Sequence, residues 1–136
     1  NIIESKEPQL SGEICGLWIS KNSGRKGLAN YLSRAAIALC PNLSINHIYG
    51  ISSPFTLNMF IGMGYTIIKE VGDSGFFDYP TPEFKSAVVE IINTEDLLSA
   101  NSENKNKIEE IRNRLKFTSD ELHNDIFTRI KYNLSI

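Results

Sequence analysis

The stretch Gly24-Arg25-Lys26-Gly27-Leu28-Ala29 sets two glycines and two cations directly before a helical pattern. A loop of that composition aims consecutive backbone N–H groups and a helix N-terminus at one point, with positive charge beside them. Its chemistry is the binding of a phosphate or diphosphate. A glycine at the helix opening lets the backbone come close to such a ligand. The pattern is not the G-x-G-x-x-G turn with a later acidic residue that holds a dinucleotide, and it lacks the Lys-Ser/Thr ending of a P-loop. A plain strand-to-helix turn would use the same glycines for backbone geometry alone, and in isolation the loop does not separate the two readings.

Other reactive side chains point to little. Ser20 and Ser53 have no paired histidine and aspartate, which disfavours covalent serine chemistry. His47 falls in a predicted strand and reads as a structural histidine; His123 falls on the polar face of a predicted tail helix, with no catalytic role. Cys15 and Cys40 have neither metal-ligand spacing nor enough partners for a disulfide framework, and read as buried thiols in a reducing, cytoplasmic setting. Trp18 reads as core. The Lys/Glu-rich run 103–114 reads as a solvated helix face.

The elements that must position the loop follow from periodicity. A lead-in over 1–12 precedes a strand over 13–20, in which Ile14, Leu17, Trp18 and Ile19 suit a buried sheet. A loop over 21–26 leads to a helix over 27–39, with Leu28, Leu32, Ala35, Ala36 and Leu39 at helical spacing, closed by Pro41. Residues 44–51 predict a second strand. Ser53-Pro54 opens a helix reaching 61 or 62, with Gly64 as its terminator. Strands over 65–71 and 86–92 flank a turn-rich loop over 72–83. The first crossovers imply parallel pairing, and the last pair is open to an antiparallel arrangement. After a short helical piece over 94–99, a helix over 105–116 and a second one opened by the capping box Thr118-x-x-Glu121 predict a helical hairpin. The chain thus divides into a lead-in, a core over 13–92 and a helical extension over 93–136.

Composition sets the outer limits. The chain has 136 residues, 41% hydrophobic and 22% charged, the size of one domain with a modest core. A formal net charge of -2 supplies no global attraction to nucleic acid or an anionic membrane. No apolar run has the length of a membrane span, and no signal peptide is visible. The chain opens on Asn1 rather than Met, as expected of a processed or partial product.

With these elements in order, the chain resembles the acyl-CoA-binding core of the GNAT superfamily of acyltransferases. The family pattern at the strand–loop–helix turn is Gln/Arg-x-x-Gly-x-Gly/Ala; Gly27 and Ala29 match its last two fixed positions, and Gly24 stands where Gln or Arg is expected, beside Arg25. The stretch Met59-Phe60-Ile61-Gly62-Met63-Gly64-Tyr65 is similar to the family's helix ending in Gly-Phe. The resemblance covers residues 13–92. Its Glu-Ile-x-x-Leu strand opening and its Tyr79-Pro80 loop lean toward the acyl-homoserine-lactone synthase branch, although Gly16 stands where that branch has an arginine.

The resemblance implies a mixed α/β sheet with crossover helices, without the family's usual N-terminal strands. It implies an acyl-CoA or acyl-carrier thioester, acetyl-CoA among them, as donor, an amine or a protein as acceptor, and no metal. The backbone of Leu17, Trp18, Ile19 and Ser20 would hold the pantetheine. Gly24, Arg25, Lys26, Gly27, Leu28 and Ala29 would hold the diphosphate, and Ser53 falls where a cofactor-contacting Asn is usual. Glu13 becomes the candidate base toward the amine. Phe60 replaces the tyrosine that often protonates the leaving thiolate, leaving Tyr49 or Tyr65 as substitutes or the role unfilled. A non-catalytic acyl-CoA-binding or protein-interaction module is the alternative. The missing front half predicts a homo-oligomer, or completion by another segment, because an uncovered sheet edge invites pairing.

Overall fold

The computed structural model describes residues 11–135, so most of the expected lead-in lies outside the described residues. The element order is β1 (Ser11–Glu13), α1 (Leu28–Leu39), β2 (His47–Ser52), α2 (Leu57–Gly62), β3 (Thr66–Ile67), β4 (Phe76–Asp78), β5 (Lys85–Ile91), α3 (Ser102–Arg114), β6 (Lys116–His123) and β7 (Ile126–Asn133). The architecture is mixed α/β. Five strands form one mixed sheet in the order β1-β2-β5-β3, with β4 also on β5, and β6 and β7 form a separate pair.

β1 runs parallel to β2 across the α1 crossover, as the strand–helix–strand order requires. β2 pairs antiparallel with β5, and so do β3 and β4, which share the opposite edge of β5. β2 and β3 are therefore not neighbours, and β5 forms the centre of the sheet. On one face, Ile48, Ala87, Val89 and Ile91 join Ile37 and Ala38 of α1 and Ile108 and Ile111 of α3 in a continuous apolar core. α2 adds Phe60 and Met63, and the ring of Tyr65 meets Phe60 edge-on at 5.0 Å.

α3 is tied to α1 by polar contacts as well as packing. Asn101 caps it by accepting from the Asn104 N–H at 2.9 Å, and the Asn104 side chain accepts from Arg34 Nε at 2.8 Å. With Asn101 as its cap, the helix begins at Ser102, three residues before the expected Lys105.

Several expectations need correcting. The first strand is short: regular pairing ends at Glu13, and residues 14–20 belong to no strand. Trp18 is not core but 77% exposed, and Cys15 is exposed while Cys40 is buried. The second helix starts at Leu57, after a turn over 54–56. The loop over 72–83 contains β4. The largest correction is the C-terminal helical hairpin: its second member is a β-hairpin. Phe117, Ser119 and Glu121 on β6 and Ile126, Thr128, Ile130 and Tyr132 on β7 share the sheltered face, with the period of two that a half-buried strand requires. Asn124 and Asp125 both have left-handed φ, 49° and 60°, as a two-residue hairpin turn demands. Phe117 and Tyr132 stack at 4.8 Å and join the common core.

Candidate functional site

β1 and β2 part company at one point. The Ile14 N–H donates to the Tyr49 carbonyl at 2.8 Å, and the chain then turns away through Gly16, whose φ is +69°. The close approach there needs Gly50, where a Cβ would sit 3.2 Å from the Ile14 carbonyl oxygen. The divergence opens a cleft of about 290 Å³ lined by Glu13, Gly16, Ile51, Ser53, Tyr79 and Ser86 among others. Glu13 and Ser53, singled out from the sequence on different elements, thus meet at one cleft. Tyr79 and Ser86 were not predicted there; the Ser86 hydroxyl donates to the Tyr79 carbonyl at 2.7 Å, fixing that wall. The Tyr79-Pro80 turn between aromatic-rich segments was the sequence signal available for it.

From the cleft, residues 15–20 lead to the glycine-bearing loop. Their backbone N–H groups meet no backbone acceptor among the described residues. Cys15, Gly16 and Trp18 are exposed and Leu17, Ile19 and Ser20 half-buried, so these amides are open to water or to a ligand. A single 3₁₀ turn over Lys21–Ser23 follows, and Gly24 closes it by donating to the Lys21 carbonyl at 3.2 Å.

At the loop itself Arg25 has φ 67° and Gly27, the N-cap of α1, has φ 75°. Gly27 has no side chain with which to cap the helix, so the first-turn N–H groups that follow, Leu28 and Ala29 among them, lack intrahelical acceptors. Arg25 is exposed and Lys26 half-buried. The predicted loop residues therefore gather at the amino end of a twelve-residue helix, the favourable pole for an anion.

The remaining candidates lie elsewhere. Tyr49 is the register partner of Glu13 and shares its sheet face, but it is buried and its hydroxyl is engaged: it meets His47 Nδ1 at 3.0 Å, and His47 Nε2 meets Glu90 at 2.6 Å. Burial, then the Glu90 charge, raises the Tyr49 phenol above its ordinary range. Tyr65 is 2% exposed, and burial drives its phenol up strongly. Neither tyrosine lines the cleft. A larger apolar groove of about 550 Å³ runs between α1 and β7 and includes only Leu28 of the predicted site. Among the described residues no group of three or more His, Cys, Asp or Glu side chains could hold a metal ion, and no helix is long and apolar enough to cross a membrane.

His123, expected on a helix face, instead ends β6 with its ring against Gly27. Next to it, Asn124 Nδ2 donates to the Arg25 carbonyl at 3.2 Å. The C-terminal hairpin tip thus sits on the loop, a contact across 99 positions that nothing in the sequence signalled.

No protein-family model matches the chain, and no curated protein matches it in sequence. Among solved structures, the chain is similar to one named "Crystal structure of a putative phosphinothricin N-acetyltransferase", with a TM-score of 0.48 and 18% identity. The overlap covers 60% of this chain and 49% of that one, so the chain spans about half the length of the structure it matches. A likeness of that size leaves family and activity to be argued from the site itself.

Proposed function

We propose that this chain is an N-acyltransferase of the GNAT type, moving an acyl group from acyl-CoA, or an acyl-carrier thioester, to an amine. The observation that carries the proposal is the split between β1 and β2, followed by six amides without a backbone acceptor among the described residues, leading to a cation-bearing helix N-terminus. Residues 15–20 offer an extended ligand the hydrogen bonds of a missing neighbour strand. Over that stretch Leu17, Trp18, Ile19 and Ser20 would accompany the pantetheine, while the N–H groups of residues 25–29 with Arg25 and Lys26 would meet the diphosphate. The thioester would then lie toward the cleft that Glu13 and Ser53 line.

The chemistry asked of the chain is chiefly positioning. Glu13 takes a proton from the acceptor ammonium, directly or through water. The amine nitrogen attacks the thioester carbonyl, the C–N bond forms and the C–S bond breaks, and the nitrogen's surplus proton passes through water to the departing thiolate, giving amide and free thiol. The core of the activity falls within residues 13–92, in a soluble cytoplasmic protein completed by a second copy or a further segment. Isothermal titration with acetyl-CoA tests the binding half; absence of heat at high micromolar ligand refutes it. Glu13→Gln should then lower kcat at least tenfold with CoA affinity nearly unchanged, and unaltered turnover removes Glu13 from the reaction.

One observation favours a second reading. Phe60 and Tyr65 are buried, the Tyr49 hydroxyl is engaged by His47, and neither tyrosine lines the cleft, so the substitutes expected for the thiolate's acid are not at hand. A non-catalytic acyl-CoA-binding module fits that arrangement, and CoA binding without turnover across a panel of amines would establish it.

A further inference from the structure

The contact between the C-terminal hairpin tip and the glycine loop joins two parts of the chain that the sequence treats as unrelated. Its geometry has a direct consequence for the loop amides. Asn124 Nδ2 holds the Arg25 carbonyl at 3.2 Å, turning that oxygen toward the hairpin. In a trans peptide the carbonyl oxygen and the next N–H point in opposite directions. The Lys26 N–H is thereby directed away from the hairpin, and it meets no backbone acceptor among the described residues. Arg25 sits at φ 67°, a strained conformation for a residue with a Cβ that persists only where neighbours hold it.

A second contact acts one residue pair further on. A Cβ placed on Gly27 would lie 2.9 Å from His123 Cγ and 3.1 Å from Tyr31 Oη, so the imidazole covers this glycine and fixes the α1 N-cap. Tyr31 is 6% exposed, and its hydroxyl, at the first turn of α1, has no hydrogen-bond partner among the described residues. Buried hydroxyls are rarely left so. An unspent donor beside a helix N-terminus is an independent sign that an acceptor belongs there.

We infer that His123 and Asn124 are positioning residues for the diphosphate loop: the hairpin tip presets the Arg25–Gly27 backbone so that its N–H groups face the ligand before it arrives. The inference rests on the acyl-CoA reading above and deepens it. The tip acts on the diphosphate half of the donor alone, which separates it from a merely structural role. Preorganisation of this kind reduces the ordering cost of binding.

The test compares CoA with pantetheine, which lacks the diphosphate, in wild type and in Asn124→Gly and His123→Ala. Glycine at 124 retains the left-handed turn while deleting the amide donor. The expected result is a loss of about fivefold in CoA affinity for each variant, the worth of one net hydrogen bond. Pantetheine affinity should stay the same, and backbone amides of residues 25–29 should exchange hydrogen faster without ligand. Wild-type binding with unchanged CoA affinity in both variants overturns the inference and leaves the acyl-CoA reading in place. An equal loss for CoA and pantetheine also overturns it, marking the tip as general support. Failure of the wild type to bind CoA at all overturns the acyl-CoA reading and the inference with it.

Discussion

Replacing Gly27 by alanine should be costly, and most of the excess cost should disappear when His123 is removed as well. Gly27 stands at φ 75°, where an L side chain adds about 1 kcal/mol of backbone strain. The new methyl would also lie 2.9 Å from His123 Cγ, closer than carbon atoms pack, and 3.1 Å from both His123 Nδ1 and Tyr31 Oη. Forcing the ring aside is a small overpacking event, which costs about 1–3 kcal/mol. The single substitution should therefore destabilise by about 2–4 kcal/mol in urea unfolding, read as a fall in the midpoint at constant m-value. In a His123→Ala background the ring is absent and only the strain and the tyrosine contact remain. The same substitution should then cost about 1–2 kcal/mol, a coupling of about 1–2 kcal/mol in a double-mutant cycle. An identical cost in both backgrounds would show that the hairpin tip does not rest on Gly27, and would remove the ground for the clamp. Alanine tolerated in both would also remove the left-handed N-cap.

Three further outcomes follow from features already described. Glu121 is pushed up by burial, but hydrogen bonds from Ser119 and Lys107, with the charges of Lys107 and Arg34, more than offset this and hold it below its ordinary 4.5. Its stabilising share is complete above that ordinary value and is lost as pH falls through the lowered folded value, so acid should weaken the wild type there. Glu121→Gln should show a flatter stability profile below about pH 4.5, and parallel profiles would refute the assignment. Glu90→Ala should cost about 2 kcal/mol by thermal or chemical unfolding, because it strips a partner from the buried His47–Tyr49 pair; a change under about 0.5 kcal/mol would show that water replaces the carboxylate. Cys40 is buried with its thiol pushed up to about 11, whereas Cys15 is exposed. A thiol reagent at pH 8 should modify one cysteine promptly and the second only on unfolding, and two prompt thiols would contradict the packing of α1.

The parts legible in the sequence are those where one periodicity dominates. α1 was readable as a helix because Leu28, Leu32, Ala35 and Leu39 repeat at helical spacing before Pro41, although the face it buries is that of Tyr31, Arg34, Ile37 and Ala38 and Leu32 is exposed; β5 was readable because Ala87, Val89 and Ile91 alternate on one face. The C-terminal hairpin was misread because Leu122, Ile126 and Ile130 satisfy a four-residue repeat by coincidence. The better signals were the β-branched and aromatic run of Ile126–Asn133 and the turn-forming Asn124-Asp125 pair. The first strand was overextended because an apolar run does not announce that its hydrogen-bond partner has turned away. Glu13 and Ser53 could be nominated separately, but their shared cleft depends on the split after Ile14, a tertiary event. The same is true of His123: a residue on a polar face gives no hint of a loop almost a hundred positions earlier.

The central place of β5 bears on how the chain is made. β2, β3 and β4 all take their antiparallel partner from Lys85–Ile91, the last strand of the sheet to be synthesised. Until that segment leaves the ribosome, β3 and β4 have no partner strand and β2 has only the three residues of β1, so these edges are open to pairing with a strand from another chain. A pause or truncation before residue 91 would therefore produce a sticky nascent chain, while a break shortly after it would leave every strand of the sheet paired.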